Sequence, residues 1–282
     1  MKKIMLSMFC IFLLVGCSTK QENITIKKNN NQETVDLKVG FGLHHIEDGY
    51  SFDGKDVDIN YDYEVVGRDA NFGLMIFING IPQMIKHEDK ESLVYTFKGK
   101  KDTNKTEHVS IMPNTGSKGD HLYMHAFLIA DYEIVDSLKQ LTNKQHMMAC
   151  GTTFIDIHQD TANNPIDLNN NYDLIDYTSD LLKHDDEEGY FDNNLLIQFP
   201  NNLEGNFKKN KPITIKMSGI SDNYILWVLE DLKPVSSYHI ELPKNKSAVL
   251  SYKPGNKTKN VKAIAIPLSS NLPEESTSLV VK

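Results

Sequence analysis

The chain has 282 residues, 40% of them hydrophobic and 24% charged, with a formal net charge of −8. That composition excludes a disordered chain, and the length allows one large or two modest domains with cores of their own. The acidic balance argues against nucleic acid as a partner, because phosphate binding needs a basic stripe, and against the folded part lying flat on an anionic membrane.

The chain begins with a cationic pair, Lys2 and Lys3, followed by an apolar run from Ile4 to Val15 broken only by Ser7. A run of that length fits the apolar region of a secretory signal and falls short of the roughly 20 residues of a spanning helix. It closes on Leu14-Val15-Gly16-Cys17. This stretch resembles the lipobox of bacterial lipoprotein precursors. The resemblance implies a diacylglycerol on Cys17, including acyl chains such as palmitate, and cleavage just before that residue. It implies a product held in the cell membrane by lipid and facing outside the cytoplasm. It covers only the first twenty or so residues and places the protein without saying what it does. On this reading 1–16 is the leader and 17–33 is a polar tether that lifts the folded part off the bilayer.

From residue 34 the pattern turns to strands. Val57, Ile59, Tyr61, Tyr63 and Val65 alternate with Asp56, Asp58, Asn60, Asp62 and Glu64, which reads as a strand with one face buried and one wet. The run Gly73–Ile78, then Asn79-Gly80, then Ile81–Ile85 reads as a hairpin, because both turn positions need positive φ. Pro82 lacks an amide donor and marks the second arm as an edge or an irregularity. Leu93–Phe97, His108–Met112 and Leu122–Ala130 are further strands, the last apolar on both faces and therefore central. Helical spacing is weak at Ile134, Val135, Leu138, Leu141, Gln145 and Met148 and clearer at Leu174, Ile175, Thr178, Leu181 and Leu182. Asp160–Asn171 between them is Asn-rich and reads as a long loop.

A second set of strands follows at Leu195–Phe199, Pro212–Met217, Tyr224–Leu229, Tyr238–Leu242, Ala248–Tyr252, Val261–Ile266 and Leu279–Val281. The fold expected is mainly β: two tandem antiparallel β-sandwich domains, immunoglobulin-like, with a short, partly helical connector. The expected bounds are 34–158 for the first sandwich, 159–194 for the connector and 195–282 for the second sandwich. Two echoes suggest a duplication. The stretch Asp58–Gln83 resembles Thr214–Val235 in order, and Val109–Pro113 resembles Lys262–Pro267.

Cys10 leaves with the leader and Cys17 carries lipid, so only Cys150 remains and no intramolecular disulfide is available. Flanked by Met147, Met148 and Ala149, Cys150 reads as a small buried residue; a nucleophile beside His146 or His158 is the sharper alternative. His121 and His125 would lie about 13 Å apart on a strand, too far to share a metal, and His44 and His45 would face opposite ways. Asp53, Asp56, Asp58 and Asp62 form one acidic group. Asp167, Asn169, Asn171 and Asp173 form another, which starts like a calcium loop and fails where Tyr172 replaces the required glycine. Trp227 reads as core, not as a sugar-stacking platform. No cofactor or metal is expected.

The functional expectation is a non-enzymatic envelope lipoprotein that binds or assembles with an envelope protein or polymer, through loops such as Asn114–Asp120. The alternative is an envelope hydrolase or carbohydrate-active enzyme that gathers Asp and Glu from separate loops.

Overall fold

The computed structural model describes residues 37–45, 47–144, 146–162, 166–177 and 194–282. The leader, Cys17 and the tether lie outside the described residues, as do Thr178, Leu181 and Leu182. The first half contains β1 (Lys38–Leu43), β2 (Tyr50–Phe52), β3 (Val57–Val66), β4 (Ala70–Ile78), β5 (Ile81–Pro82), β6 (Ile85–His87), β7 (Lys90–Ser92), β8 (Tyr95–Gly99), β9 (Thr103–Ile111), β10 (His121–Ala130), the short helix α1 (Leu138–Asn143) and β11 (Met148–Ile157). The second half contains β12 (Asp173–Asp176), β13 (Leu195–Gln198), β14 (Asn206–Phe207), β15 (Ile213–Gly219), β16 (Asp222–Glu230), β17 (Lys233–Leu242), β18 (Lys246–Tyr252), β19 (Asn260–Pro267), β20 (Glu274–Glu275) and β21 (Leu279–Val281).

These strands make four sheets. The first outer sheet has the order β1-β3-β9-β6-β7, and the first inner sheet β2-β11-β10-β4-β5 with β8 also on β4. The second inner sheet has the order β14-β21-β19-β16-β17 with β20 beside β19, and the second outer sheet β12-β18-β15-β13. Each outer sheet faces its inner sheet across an apolar core. In the first, Ile59, Tyr61 and Tyr63 of β3 meet Phe72, Leu74 and Ile76 of β4. In the second, Ile215 and Met217 of β15 meet Tyr224, Leu226 and Val228 of β16. The alternation read in β3 is observed, with Val57, Ile59, Tyr61, Tyr63 and Val65 all buried and their neighbours more exposed.

The central strands of the inner sheets, β4, β10, β16 and β19, lack that alternation for a physical reason. Their second faces meet each other. Met75 and Phe77 of β4 and Phe127 and Ile129 of β10 pack with Ile225, Trp227 and Leu229 of β16 and Ile264 and Ile266 of β19. Strands covered on both sides need apolar residues at every position. Asn79 (φ 49°) and Gly80 (φ 75°) form the expected turn after β4. A Cβ on Gly80 would lie 2.5 Å from Cγ1 of Ile225, and its carbonyl accepts a 2.8 Å bond from the Trp227 indole N–H. The turn therefore needs glycine twice: for its φ and for the approach of the other half.

The two sandwiches repeat one topology. Pairs β1–β3, β3–β9, β4–β8, β4–β10 and β10–β11 are antiparallel, and β2 joins β11 in parallel. The counterparts β13–β15, β15–β18, β16–β17, β16–β19 and β19–β21 are antiparallel, and β14 joins β21 in parallel. Opposed sheets in this strand order are the immunoglobulin-like arrangement. Of the two sequence echoes, the first matches topology, since β3–β4 corresponds to β15–β16. The second does not: β9 corresponds to β18, and β19 to β10. A short Ile-x-Pro ending is common to any apolar strand that meets a turn.

Two expected elements change. Leu174 and Ile175 lie in β12, which pairs antiparallel with β18. The helical spacing there is overridden by a free sheet edge, since the second half has no strand of its own between β17 and β18. Met148, read as the end of a helix, opens β11, which pairs along β10. No helix among the described residues is long and apolar enough to cross a membrane. We expect Trp227→Ala to cost about 3–5 kcal/mol, the range for a buried Trp or Phe truncated in a core. Denaturant titration followed by far-UV circular dichroism should show one shifted transition, because residues 35–282 form one compact unit.

Candidate functional site

Most residues singled out in the sequence serve structure where they are described. Cys150 is half-buried, opposite Phe127 on β10 and packed against the cluster between the inner sheets. His146 is committed elsewhere. Its Nε2 lies 2.8 Å from the Glu133 carbonyl and its Nδ1 3.1 Å from Ser278 Oγ, so it joins the two halves. His121 pairs with Asp156 at 2.7 Å on the surface, whereas His125 is fully buried, and among the described residues no group of three ligands unites them. His44 Nε2 sits 3.0 Å from Asp62 Oδ2, and His45 packs its ring edge-on against Tyr50. Asp56 pairs with Lys86, and Asp62 also accepts from Thr106. Trp227 is 5% exposed between the sheets.

The loop Asn114–Asp120 is pinned. The Asn114 amide donates to Gln83 Oε1, Lys118 N donates to Asp160 Oδ1, and Thr161 Oγ1 donates to the Gly116 carbonyl. Ser117, Lys118, Gly119 and Asp120 stay exposed at its tip.

Among the described residues a concave site lies elsewhere, where the connector crosses the second sandwich. Asn169 runs parallel to Tyr238 on the edge of β17, with its amide donating to the Ser237 carbonyl and its carbonyl accepting from His239 N–H. The chain then crosses to the opposite sheet and becomes β12. Beside this crossing is a cleft of about 490 Å³ lined by Asn170, Tyr172, Asp173, Leu174, His239 and Glu241. Its volume falls in the ~300–1,000 Å³ range of small-ligand sites. Tyr172 packs against the second core, and its hydroxyl oxygen accepts a 3.0 Å bond from the Glu241 amide. That leaves the Tyr172 O–H proton available as a donor. The alternation of β17, with Tyr238, Ile240 and Leu242 buried, turns His239 and Glu241 away from the core. Asn169 and Asp173 belonged to the suspected calcium group. The structure uses Asn169 through its backbone and Asp173 as a cleft wall. The strand over Tyr238–Leu242 was legible, but the connector strapped across its edge was not.

No family model matches the chain, and no curated protein matches it in sequence. Among solved structures, red sea bream transglutaminase is similar at 15% identity and a TM-score of 0.24, over 89% of this chain and 32% of that one, so the chain spans about a third of that enzyme. The CARDB domain of a Pyrococcus furiosus protein, in complex with di-metal ions, matches at 16% identity and 0.26, over 46% and 94%. The Salmonella enterica SafA pilin in complex with the SafB chaperone matches at 9% and 0.27, over 88% and 98%. At these scores the likenesses carry no argument, and the fold rests on the strand order above.

Two buried histidines set a pH response. Burial lowers His125 from 6.5 to about 4, and neither ring nitrogen has a hydrogen-bond partner among the described residues. Burial, then nearby Lys262, lowers His146 to about 4. Burial raises Glu274 from 4.5 to about 7. The histidines contribute stability above 6.5 that is lost as pH falls towards 4, whereas Glu274 contributes stability at low pH that is lost as pH rises from 4.5 to 7. Near pH 5.5 the unfolded chain binds both histidine protons and the folded chain binds one at Glu274. Folding stability should therefore rise with pH there, by about 1 kcal/mol per unit. Replacing His125→Leu removes one histidine, so urea midpoints between pH 5 and 6 should become nearly flat. The same change should not lower stability at pH 8, because it removes a buried polar group without a partner.

Proposed function

We propose that this chain is a cell-envelope lipoprotein, held at the cell membrane by a diacylglycerol on Cys17 and facing outside the cytoplasm, whose double sandwich is a binding or assembly module. The two sandwiches are assigned to 34–158 and 195–282, with the connector 159–194 lending β12 to the second. The leader supports the location: Lys2 and Lys3, a short apolar run, and Leu14-Val15-Gly16-Cys17. A lipid of this kind holds a protein where a single acyl chain would be marginal.

One observation carries the binding role. The cleft of Asn170, Tyr172 and Glu241 is built on two sheet edges of a body whose halves share an apolar interface. Sites on rigid strands hold their groups in place better than sites on free loops. The partner is an envelope protein or polymer, and the acidic charge of the chain disfavours anionic lipid faces and nucleic acid.

Cys17→Ala should abolish labelling by a palmitate analogue and move the protein from the membrane to the soluble fraction without detergent. Unchanged retention would remove the anchor. Affinity capture from intact cells with Cys17 kept should recover an envelope component. Turnover of an envelope polymer by the full chain would contradict the binding role.

A further inference from the structure

The second sandwich completes its outer sheet with a borrowed strand. In the first half, β6 pairs with β9. In the second half β17 runs on to β18 with only a turn between them, and the connector lays β12 against β18 instead. The strand β12 is short, and all four of its residues are exposed. Leu174 and Ile175 are 44% and 41% exposed, on opposite faces. Half of the amides and carbonyls of an antiparallel edge strand point away from its partner. Among the described residues no strand pairs with that side of β12.

An open edge is a hazard that proteins manage with short length and charge. Here the strand's own charges have one sign. Asp173 and Asp176 flank the two apolar residues, and Glu241 lines the same cleft as Asp173 at the start of the strand. Lys246 neutralises Asp176, with Nζ 2.6 Å from its Oδ1. The Glu241 carboxylate has no ion-pair partner among the described residues. Such an edge repels copies of a chain whose net charge is −8 and favours a cationic strand.

We propose that β12 and the adjoining cleft take an extended basic peptide segment of a partner protein. The backbone of the segment pairs along the outer edge of β12, and a lysine or arginine side chain enters the cleft between Asp173 and Glu241. Leu174 and the Tyr172 ring receive the aliphatic stem, and the two carboxylates receive the charged head. Main-chain pairing supplies affinity, and the cleft supplies the choice of side chain. This deepens the binding-module reading and rests on it.

The test uses the full chain purified in detergent and three probes: a capped hexapeptide alternating lysine and valine, the same peptide with glutamate for lysine, and lysine amide alone. The lysine peptide should bind saturably, more weakly as salt rises, and shift the amide resonances of β12 and of His239–Glu241. The glutamate peptide should not bind, and lysine amide should bind at least tenfold more weakly because it cannot pair along the strand. Asp173→Asn with Glu241→Gln should weaken the lysine peptide at least tenfold at an unchanged thermal midpoint. If the double variant is unstable, Glu241→Gln alone should still weaken it severalfold, because only its exposed carboxylate changes. Equal binding of the two peptides, retained affinity in the variants, or shifts confined to other surfaces would overturn the proposal. Capture of an envelope partner from cells undiminished by the double variant would overturn this site and leave the module. Peptide binding without any partner captured from cells would leave the site and overturn the envelope role.

Discussion

The central strands of the inner sheets have no wet face, and the rest of the structure follows from that. Strands β4, β10, β16 and β19 carry apolar residues on both sides, so each sandwich alone would expose a broad hydrophobic surface. The two surfaces cover each other. Trp227, Phe77 and Phe127 fill the centre, with Phe77 and Phe127 edge to face at 5.5 Å. Polar groups also bond across the rim. Asn260 exchanges two bonds with the backbone of Val135, at 2.8 and 2.9 Å, and buried Lys262 donates to the Ser276 carbonyl and pairs with Glu275. A buried amide that satisfies both a backbone N–H and a C=O fixes register more than it adds stability.

The interface also has the character of a fused dimer. The same topological face is used by both halves. The turn after β4, at Gly80, meets Ile225 and Trp227 near the start of β16. At the far end, Tyr132, whose amide bonds to Asn71 near the start of β4, donates its hydroxyl to the Leu232 carbonyl just past the end of β16. The central strands thus cross in opposite directions, as they would across a two-fold axis. An isologous contact between like surfaces gives this pattern. The halves differ at the edges: the first half has β5, β6 and β7, and the second borrows β12 from the connector.

Much of this was legible from residues alone. The alternation of β3 and the doubly apolar runs of β4, β10 and β16 follow from which faces are covered. Asn79-Gly80 announces its turn through backbone sterics. What covers the doubly apolar strands was not legible, since a sequence shows that a face is buried without naming the surface against it. The connector misled for a related reason. Leu174 and Ile175 satisfy helical spacing as well as they satisfy a strand, and only the vacant edge of β18 decides. The cleft was invisible because its walls, Tyr172 and Glu241, lie far apart in the chain and meet through one bond from the Glu241 amide to the Tyr172 hydroxyl. Nothing in the sequence marks His125 as unpartnered: a buried polar group ordinarily finds a hydrogen-bond partner, and this one has none among the described residues.

The central claim is that the two sandwiches are held as one body by the cluster between their inner sheets. Native-state hydrogen exchange tests it most directly. The amides of β4 and β10 in one half, and of β16 and β19 in the other, should exchange only through global unfolding, with a common free energy and a common dependence on denaturant. Exchange of one half at a distinctly lower free energy, with the other still protected, would show two independent domains and contradict the account.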